Sequence, residues 1–390
     1  MNKYISSNGI FRFSDEYLKI SIVSQFPRSD IDKPSFGGAS LISMQKIYFN
    51  KGENDVNMIY LSEIKSVTSY FLALASKARQ NSGSQIKTNA ARRWFLNILF
   101  WIFIDILSRF DLLLKRRLEI MLDSSQSDIV LCNYPVFFNI LSSICKKRKI
   151  ICILCEHNAE YSFYEQVLHN MKIGYPFIKI LKMIECSAIK RSDITLAVTS
   201  EDRETLLNEL GKQYDSRIFY WIPFDIEKEK YTEEQIEYIL SNASIEDRQF
   251  AINIKNKKII GFVGAFFEPN IVAVEKIIKL AKSVENESVA FMILGGVCNA
   301  FDDRRDIPNN IIMKGFVNNL DFYLSVCYAF INPKTTSDTG IEIKMFDYLK
   351  FDKPIISTEI GARGFEEFKN IIISNNTEDI SKTILRLYNE

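Results

Sequence analysis

One pattern, occurring twice, constrains this chain most: short, continuous apolar runs separated by segments of helical periodicity. In the first half the runs lie at residues 18–24, 56–61, 128–132, 149–155 and 193–198, with helical stretches such as 135–147 and 176–191 between them. Runs this short and this uniformly apolar predict strands covered on both faces, which requires a parallel sheet with helices on either side. The second half repeats the alternation at 259–264, 289–294, 311–314, 328–332, 354–358 and 370–374. A helix is expected over 270–284, with Val274, Ile277, Ile278, Ala281 and Val284 on one face. Others are expected near 39–49, 340–350 and 377–388. Residues 225–258, rich in Glu, Lys, Asn and Gln, read as a solvated helical connector. The fold class is therefore α/β, with two Rossmann-like domains at 1–222 and 258–390 joined by 223–257. A length of 390 residues, beyond what one core usually supports, agrees with two domains.

Charge and cysteine usage exclude several function classes. The formal net charge is +1, from 49 basic and 48 acidic residues, so the basic surplus that nucleic-acid binding needs is missing. Cys152 and Cys155 have the spacing of a metal or redox pair, but they sit inside an apolar run with no second pair. The seven cysteines read as core thiols of a reducing compartment. Residues 1–14 are polar and lack a signal-peptide core. The most apolar stretch, 94–107, contains Asn97 and Asp105 and falls short of the roughly 20 residues that span a bilayer. A soluble or peripheral protein is expected, cytoplasmic or at the inner face of the membrane.

Candidate chemistry gathers at the strand ends, where open parallel sheets bind ligands and glycines let backbone amides approach phosphate. Gly264, Gly295, Gly296 and Gly315 follow successive strands; Thr339 and Gly340 open a helix; Gly361 and Gly364 follow the strand at 354–358. No Gly-x-Gly-x-x-Gly follows a first strand and no phosphate-loop motif occurs, which disfavours a nicotinamide enzyme or an NTPase. Asp30 and Asp32 have the Asp-x-Asp spacing of a metal site, but in a polar loop. Asp302 to Asp306 reads as a solvated loop, and no metal is assigned.

Residues 261–270 (GFVGAFFEPN), Gly315 with Phe316 and Val317, residues 340–358 and residues 361–365 (GARGF) resemble the donor half of glycosyltransferase family 4. Residues 156–161 (EHNAEY) and 200–203 (SEDR) resemble its acceptor half. The resemblance runs from about residue 18 to 374 and is most specific over 340–365. It implies the GT-B fold, two Rossmann-like domains whose parallel sheets face a central cleft. It also implies transfer of a sugar from a nucleoside-diphosphate sugar to a saccharide or lipid-linked glycan, retaining and metal-independent, in bacterial-type surface glycan synthesis. No cofactor is expected beyond the donor itself. Without a metal, the charge that develops on the departing diphosphate needs cations. By resemblance these are Lys344 and Arg363, with Gly264, Thr339, Gly340, Ile341 and Glu342 lining the donor site. Asp347 stands where the family usually has a glutamate that accepts ribose hydroxyls, and Thr339 where many members have a second glutamate; both are departures. Phe316 and Val317 match the segment that reads the nucleobase, with core packing as the other reading of Phe316. His157 would face the donor sugar, or be buried for packing; His169 has no such setting. Gly37 and Gly38 are expected in a loop at the acceptor site. Residues 92–117 carry Trp94, Trp101 and Phe103 among arginines and lysines, and read either as an interfacial membrane element or as core-packing helices. Two alternatives stay open: a sugar-nucleotide 2-epimerase, which would need more histidines than the two present, and a catalytically degenerate binding subunit.

Overall fold

In the computed structural model the apolar runs are strands. The structure describes residues 4–7, 10–13, 17–32, 37–50, 54–81, 90–168, 172–222, 229–284, 288–335 and 341–389. Two compact units result, the first built on Met1–Phe224 with Asp338–Ile341 and the second on Asp225–Ser337 with Glu342–Glu390.

The first unit holds β1 (Tyr4–Ser7), β2 (Ile10–Phe13), β3 (Lys19–Ser24), β4 (Asp55–Tyr60), β5 (Ile129–Asn133), β6 (Ile151–Glu156), β7 (Ile194–Ala197) and β8 (Ile218–Tyr220), in the order β1-β2-β8-β7-β6-β5-β3-β4. Strands β3 to β8 form a parallel sheet of six. Alternation of side chains across the pleat divides its core. Ile22, Leu131 and Ile153 join Phe49 and Trp221 on one face, while Val23, Val130 and Leu154 join Leu114 and Leu118 on the other. The antiparallel β1–β2 hairpin, which joins β8 through Ile10 and Tyr220, was not expected from residues 1–14. Its two strands of four residues are too short to establish a period.

The second unit is a parallel sheet of β9 (Lys258–Val263), β10 (Val289–Leu294), β11 (Ile311–Gly315), β12 (Ala329–Asn332), β13 (Ile355–Ser357) and β14 (Ile371–Ile373), ordered β11-β10-β9-β12-β13-β14. The chain walks outward from β9 to β11 and then returns to the other side of β9. The order therefore reverses between β9 and β12, and a crevice opens at the carboxyl ends of those two strands. The helix Glu268–Ser283 buries Ala273, Val274, Ile277, Ile278 and Ala281, the expected face. The segment read as a connector holds two helices, Glu233–Ser241 and Ile245–Ile254, capped by Thr232 and Ser244. Both lie within the second unit, tied in by a Tyr231 N–H bond to the Lys350 carbonyl (2.8 Å) and by the Tyr323 hydroxyl on Asp247.

Three local expectations need correction. Gly37 and Gly38 are not in a loop but in the first turn of the helix Gly37–Asn50. Asp30 and Asp32 lie on a short helix, Arg28–Asp32, and Asp32 pairs with Lys46 at 2.9 Å. The helix expected over 340–350 is described only as Lys344–Leu349, six residues, with Thr339 and Gly340 outside the described residues.

Candidate functional site

At the reversal in the second sheet, the strand-end glycines tie the loops together. The Gly264 N–H bonds to the Leu294 carbonyl (2.9 Å), the Gly295 N–H to the Gly315 carbonyl (2.7 Å), and the Val297 N–H to the Gly264 carbonyl (3.1 Å). Gly295 has φ +94°, and a Cβ there would run into the Gly264 carbonyl, so this crossing needs glycine. On the other side of the crevice, a Cβ on Gly361 would lie 2.6 Å from the Asn332 carbonyl oxygen. The Gly361 N–H bonds to the Thr358 hydroxyl at 3.0 Å, and the Gly364 N–H to the Glu366 carboxylate at 2.8 Å. The amides of Gly264, Gly295, Gly361 and Gly364 are thus already engaged within the unit. At these four positions the glycines permit close packing of the loops.

The charge in the crevice comes from side chains. Lys334 leaves the end of β12 and Lys344 opens the helix that follows; both converge on Glu342, which is itself largely buried. Lys344 Nζ lies 3.0 Å from one Glu342 oxygen, 2.8 Å from Asn270 Oδ1 and 4.6 Å from the Phe262 ring centroid, so its head group is oriented from three sides. Lys334 Nζ pairs with the other Glu342 oxygen, and the Lys334 carbonyl accepts a hydrogen bond from the Thr358 hydroxyl. Burial works against ionisation of Glu342, but Lys344 and then Lys334 more than offset it and hold its pKa down to about 2. Among the described residues, two lysines thus share one carboxylate in a partly dry site.

The other residues expected at the donor site divide. Arg363 is half-buried in the turn anchored by Gly361. Asp347 forms an ion pair with Lys350 at 3.1 Å; burial raises its pKa against the pull of that lysine, with Asp321 adding to the rise. Phe316 is 81% exposed, which rules out the core reading, and Val317 beside it is half-buried. Ile341 is half-buried before Glu342.

In the first unit, His157 follows β6 and is buried. Its Nε2–H donates to Asn133 Oδ1 (2.7 Å), which also accepts from Gln45 Nε2 (3.0 Å). Burial lowers the imidazole pKa to about 3, so the ring is neutral. It packs 4.7 Å from Tyr134, which stacks on Trp101 at 6.2 Å. Tyr134 has φ +80°, a strained backbone at the carboxyl end of β5. His169 and the side chain of Trp94 lie outside the described residues.

Next to His157, four carboxyl groups meet: Glu156, Glu160, Glu185 and Asp202. Both oxygens of Glu156 lack a hydrogen-bond partner among the described residues. Burial, then the charges of Glu185, Glu160 and Asp202, push its pKa well up. Burial raises Glu160 to about 7. It raises Glu185 to about 8, although Glu185 accepts the Tyr161 and Glu160 backbone N–H groups at 2.9 Å each. Raised folded-state values mean that the folded unit binds protons the unfolded chain has released. The associated stability is complete below about pH 4.3, where unfolded glutamates titrate, and is lost as pH rises through about 7 to 8. Each such proton sets a slope of up to about 1.4 kcal/mol per pH unit. Glu156→Gln should flatten the decline of apparent Tm between about pH 5 and 8 and raise Tm by several degrees at the alkaline end. Thermal melts of both proteins across that range test this; an unchanged slope in the variant would clear Glu156 of the role.

Residues 257–390 match the family model described as glycosyl transferases group 1. A search of curated proteins returned no match. Solved structures similar over nearly the whole chain include sucrose-phosphate synthase from Thermosynechococcus elongatus (10% identity, 95% of this chain and 90% of that one, TM-score 0.59). Others are a glycosyltransferase from Rickettsia africae (12%, 96% and 89%, TM-score 0.56) and HepE from Anabaena in complex with UDP and glucose (12%, 96% and 90%, TM-score 0.53). The fold is that of the GT-B glycosyltransferases.

Within the group 1 segment, the motif at 340–365 pointed to Lys344, Glu342 and Arg363, but nothing pointed to Lys334. That lysine stands in an ordinary Asn-Pro-Lys-Thr run, and only the return of β12 beside β9 makes it a partner of Glu342. The acid cluster was missed for a similar reason: Glu156 and Glu160 adjoin, but Glu185 and Asp202 arrive from two later helices.

Proposed function

We propose that this chain is a glycosyltransferase that moves a sugar from a nucleoside-diphosphate sugar to a saccharide or lipid-linked glycan acceptor. The reading extends to retention of configuration, independence of a metal, and action in the cytoplasm on surface glycan, as the family resemblance implies. The observation that carries it is the buried Lys334–Glu342–Lys344 cluster at the reversal point of β9 and β12, inside the segment that matches group 1. When the bond from the anomeric carbon to the diphosphate breaks, the electron pair leaves with the phosphate oxygen. Lys344 and Lys334 can take that charge in place of the Glu342 carboxylate, and Arg363 adds a third cation. Asp347 is a carboxylate able to accept two ribose hydroxyls once Lys350 yields. His157, neutral and with Nε2–H held by Asn133, is a positioned polar group of the acceptor unit. Gly37 and Gly38 open the helix that carries Gln45, the other partner of Asn133.

A panel of nucleotide sugars and their nucleoside diphosphates tests the reading, with UDP first because HepE holds it. A true donor at about a hundred times its Kd should stabilise the protein by about 2.7 kcal/mol, a rise of roughly 5–10 °C in apparent Tm. Sugar release or transfer should accompany it. No shift with any member and no turnover would overturn the proposal; a shift without turnover would leave the binding-subunit reading.

A further inference from the structure

The helical layer of the first unit presents a face that the sheet does not cover. The helix Ala90–Phe110 buries Ile98, Ile102 and Ile104. Yet Leu96, Phe103, Ile106 and Phe110 are exposed, and their spacings of seven, three and four place them on one stripe. A helix that is apolar on two sides is normally enclosed by protein or lipid.

The stripe continues onto both neighbouring helices. Asp111 caps the helix Leu112–Ser125 through the Leu114 N–H (2.9 Å), and it accepts the Thr68 N–H (2.8 Å) at the start of the helix Val67–Asn81. One carboxylate thus gathers three helix ends at a corner where Phe110 and Leu112 are each 77% exposed. Val67 and Tyr70, also exposed, belong to the same corner. Phe71 contacts Phe103 edge-on, with ring centroids 5.2 Å apart.

Cations rim this face. Arg116 and Arg117 stand one turn beyond Leu112 and Leu113, and Lys65 precedes Val67; all three are exposed, and none forms an ion pair among the described residues. Arg109, by contrast, is paired with Asp105 at 2.7 Å. No described helix is long and apolar enough to cross a membrane, so any lipid contact lies at the interface. An apolar face with a rim of unpaired cations matches the layering of an anionic bilayer surface, where apolar side chains enter the acyl boundary and cations meet the headgroups. A second copy fits less well. A two-fold contact would set the face against itself and bring the cationic rim of one copy towards that of the other.

We propose that this face, centred on Phe110 and Leu112 and rimmed by Lys65, Arg116 and Arg117, docks the protein on an anionic lipid bilayer. The contact is a property of the first unit alone and needs no nucleotide, so it stands or falls separately from the transferase reading. Trp101 takes no part: it points inward onto Tyr134.

Flotation with vesicles of phosphatidylcholine alone, or of phosphatidylcholine with phosphatidylglycerol, tests the proposal on the full chain. Wild type should float with the anionic vesicles, release as salt rises, and stay behind with the neutral ones. Arg116→Ala with Arg117→Ala should weaken partition at least tenfold, and Phe110→Ser with Leu112→Ser should abolish it. All these positions are exposed, so unchanged apparent Tm in both variants shows that folding is intact. Wild type that stays unbound on both vesicle types overturns the proposal, as does binding unaffected by the Phe110/Leu112 pair. A dimer in sedimentation equilibrium that this pair dissociates would assign the face to a second copy and overturn it equally.

Discussion

Lys344→Ala is expected to lower donor turnover by about 10²- to 10³-fold, the usual loss when one preorganised charge on a leaving group is removed. The loss should fall more on kcat than on KM, because negative charge on the diphosphate oxygen grows as the glycosidic bond breaks. Lys344→Arg should not restore the rate. The ammonium sits among Glu342, Asn270 Oδ1 at 2.8 Å and the Phe262 ring, a compact site for a point charge and too small for a planar guanidinium. Lys334→Ala should cost a similar factor, and the double variant less than the product, because both lysines act on the same carboxylate. Release of nucleoside diphosphate, measured with whichever donor the thermal panel selects, decides the matter. Turnover within threefold of wild type in Lys344→Ala would remove this lysine from the donor site.

How far the molecule was legible beforehand depended on where the information lay. Strands such as β5 and β10 could be read because every residue in them is buried, leaving a continuous apolar run that only a sheet covered on both faces explains. The β1–β2 hairpin and the three-residue β8 could not, because so short a segment has no measurable period. At the site, the family-like run named Lys344 and Glu342 but did not show that they bind each other, nor that Lys334 completes the group. That knowledge needs the strand order, which sets Phe262, Asn270, Lys334 and Glu342 around one point from four separate segments. The glycines show the same limit. Their positions at strand ends were read correctly, but their amides serve the loops themselves. For residues 92–117, core helices and interfacial element had been set against each other. The helix Ala90–Phe110 does pack into the core through Ile98, Ile102 and Ile104, while Phe103, Ile106 and Phe110 stay exposed on another side, a division that the composition of the run does not reveal.

Glu342→Ala should be strongly destabilising, with a cost of about 3–5 kcal/mol and a fall in apparent Tm on the order of 10 °C. The side chains of Lys334 and Lys344 are only 8% and 9% exposed, and the variant deprives both nearly buried ammonium groups of the carboxylate they share. The sign of the pH dependence follows from the same contact. Glu342 titrates near 2 in the folded protein, below the range of an unfolded glutamate. Its stabilisation is therefore complete above about pH 4.3 and is lost as pH falls towards 2, so the variant should lack this part of the acid decline. The decisive measurement adds the nucleoside diphosphate. At the proposed donor site an incoming diphosphate displaces Glu342 from the lysines; in Glu342→Ala that displacement is no longer required. The nucleoside diphosphate that the thermal panel selects should raise the Tm of the variant by more than it raises that of wild type, recovering much of the loss. If the variant melts like wild type, the two lysines do not depend on Glu342. A variant that is destabilised and gains nothing from any nucleoside diphosphate would mean that the lysines serve the fold and not a ligand.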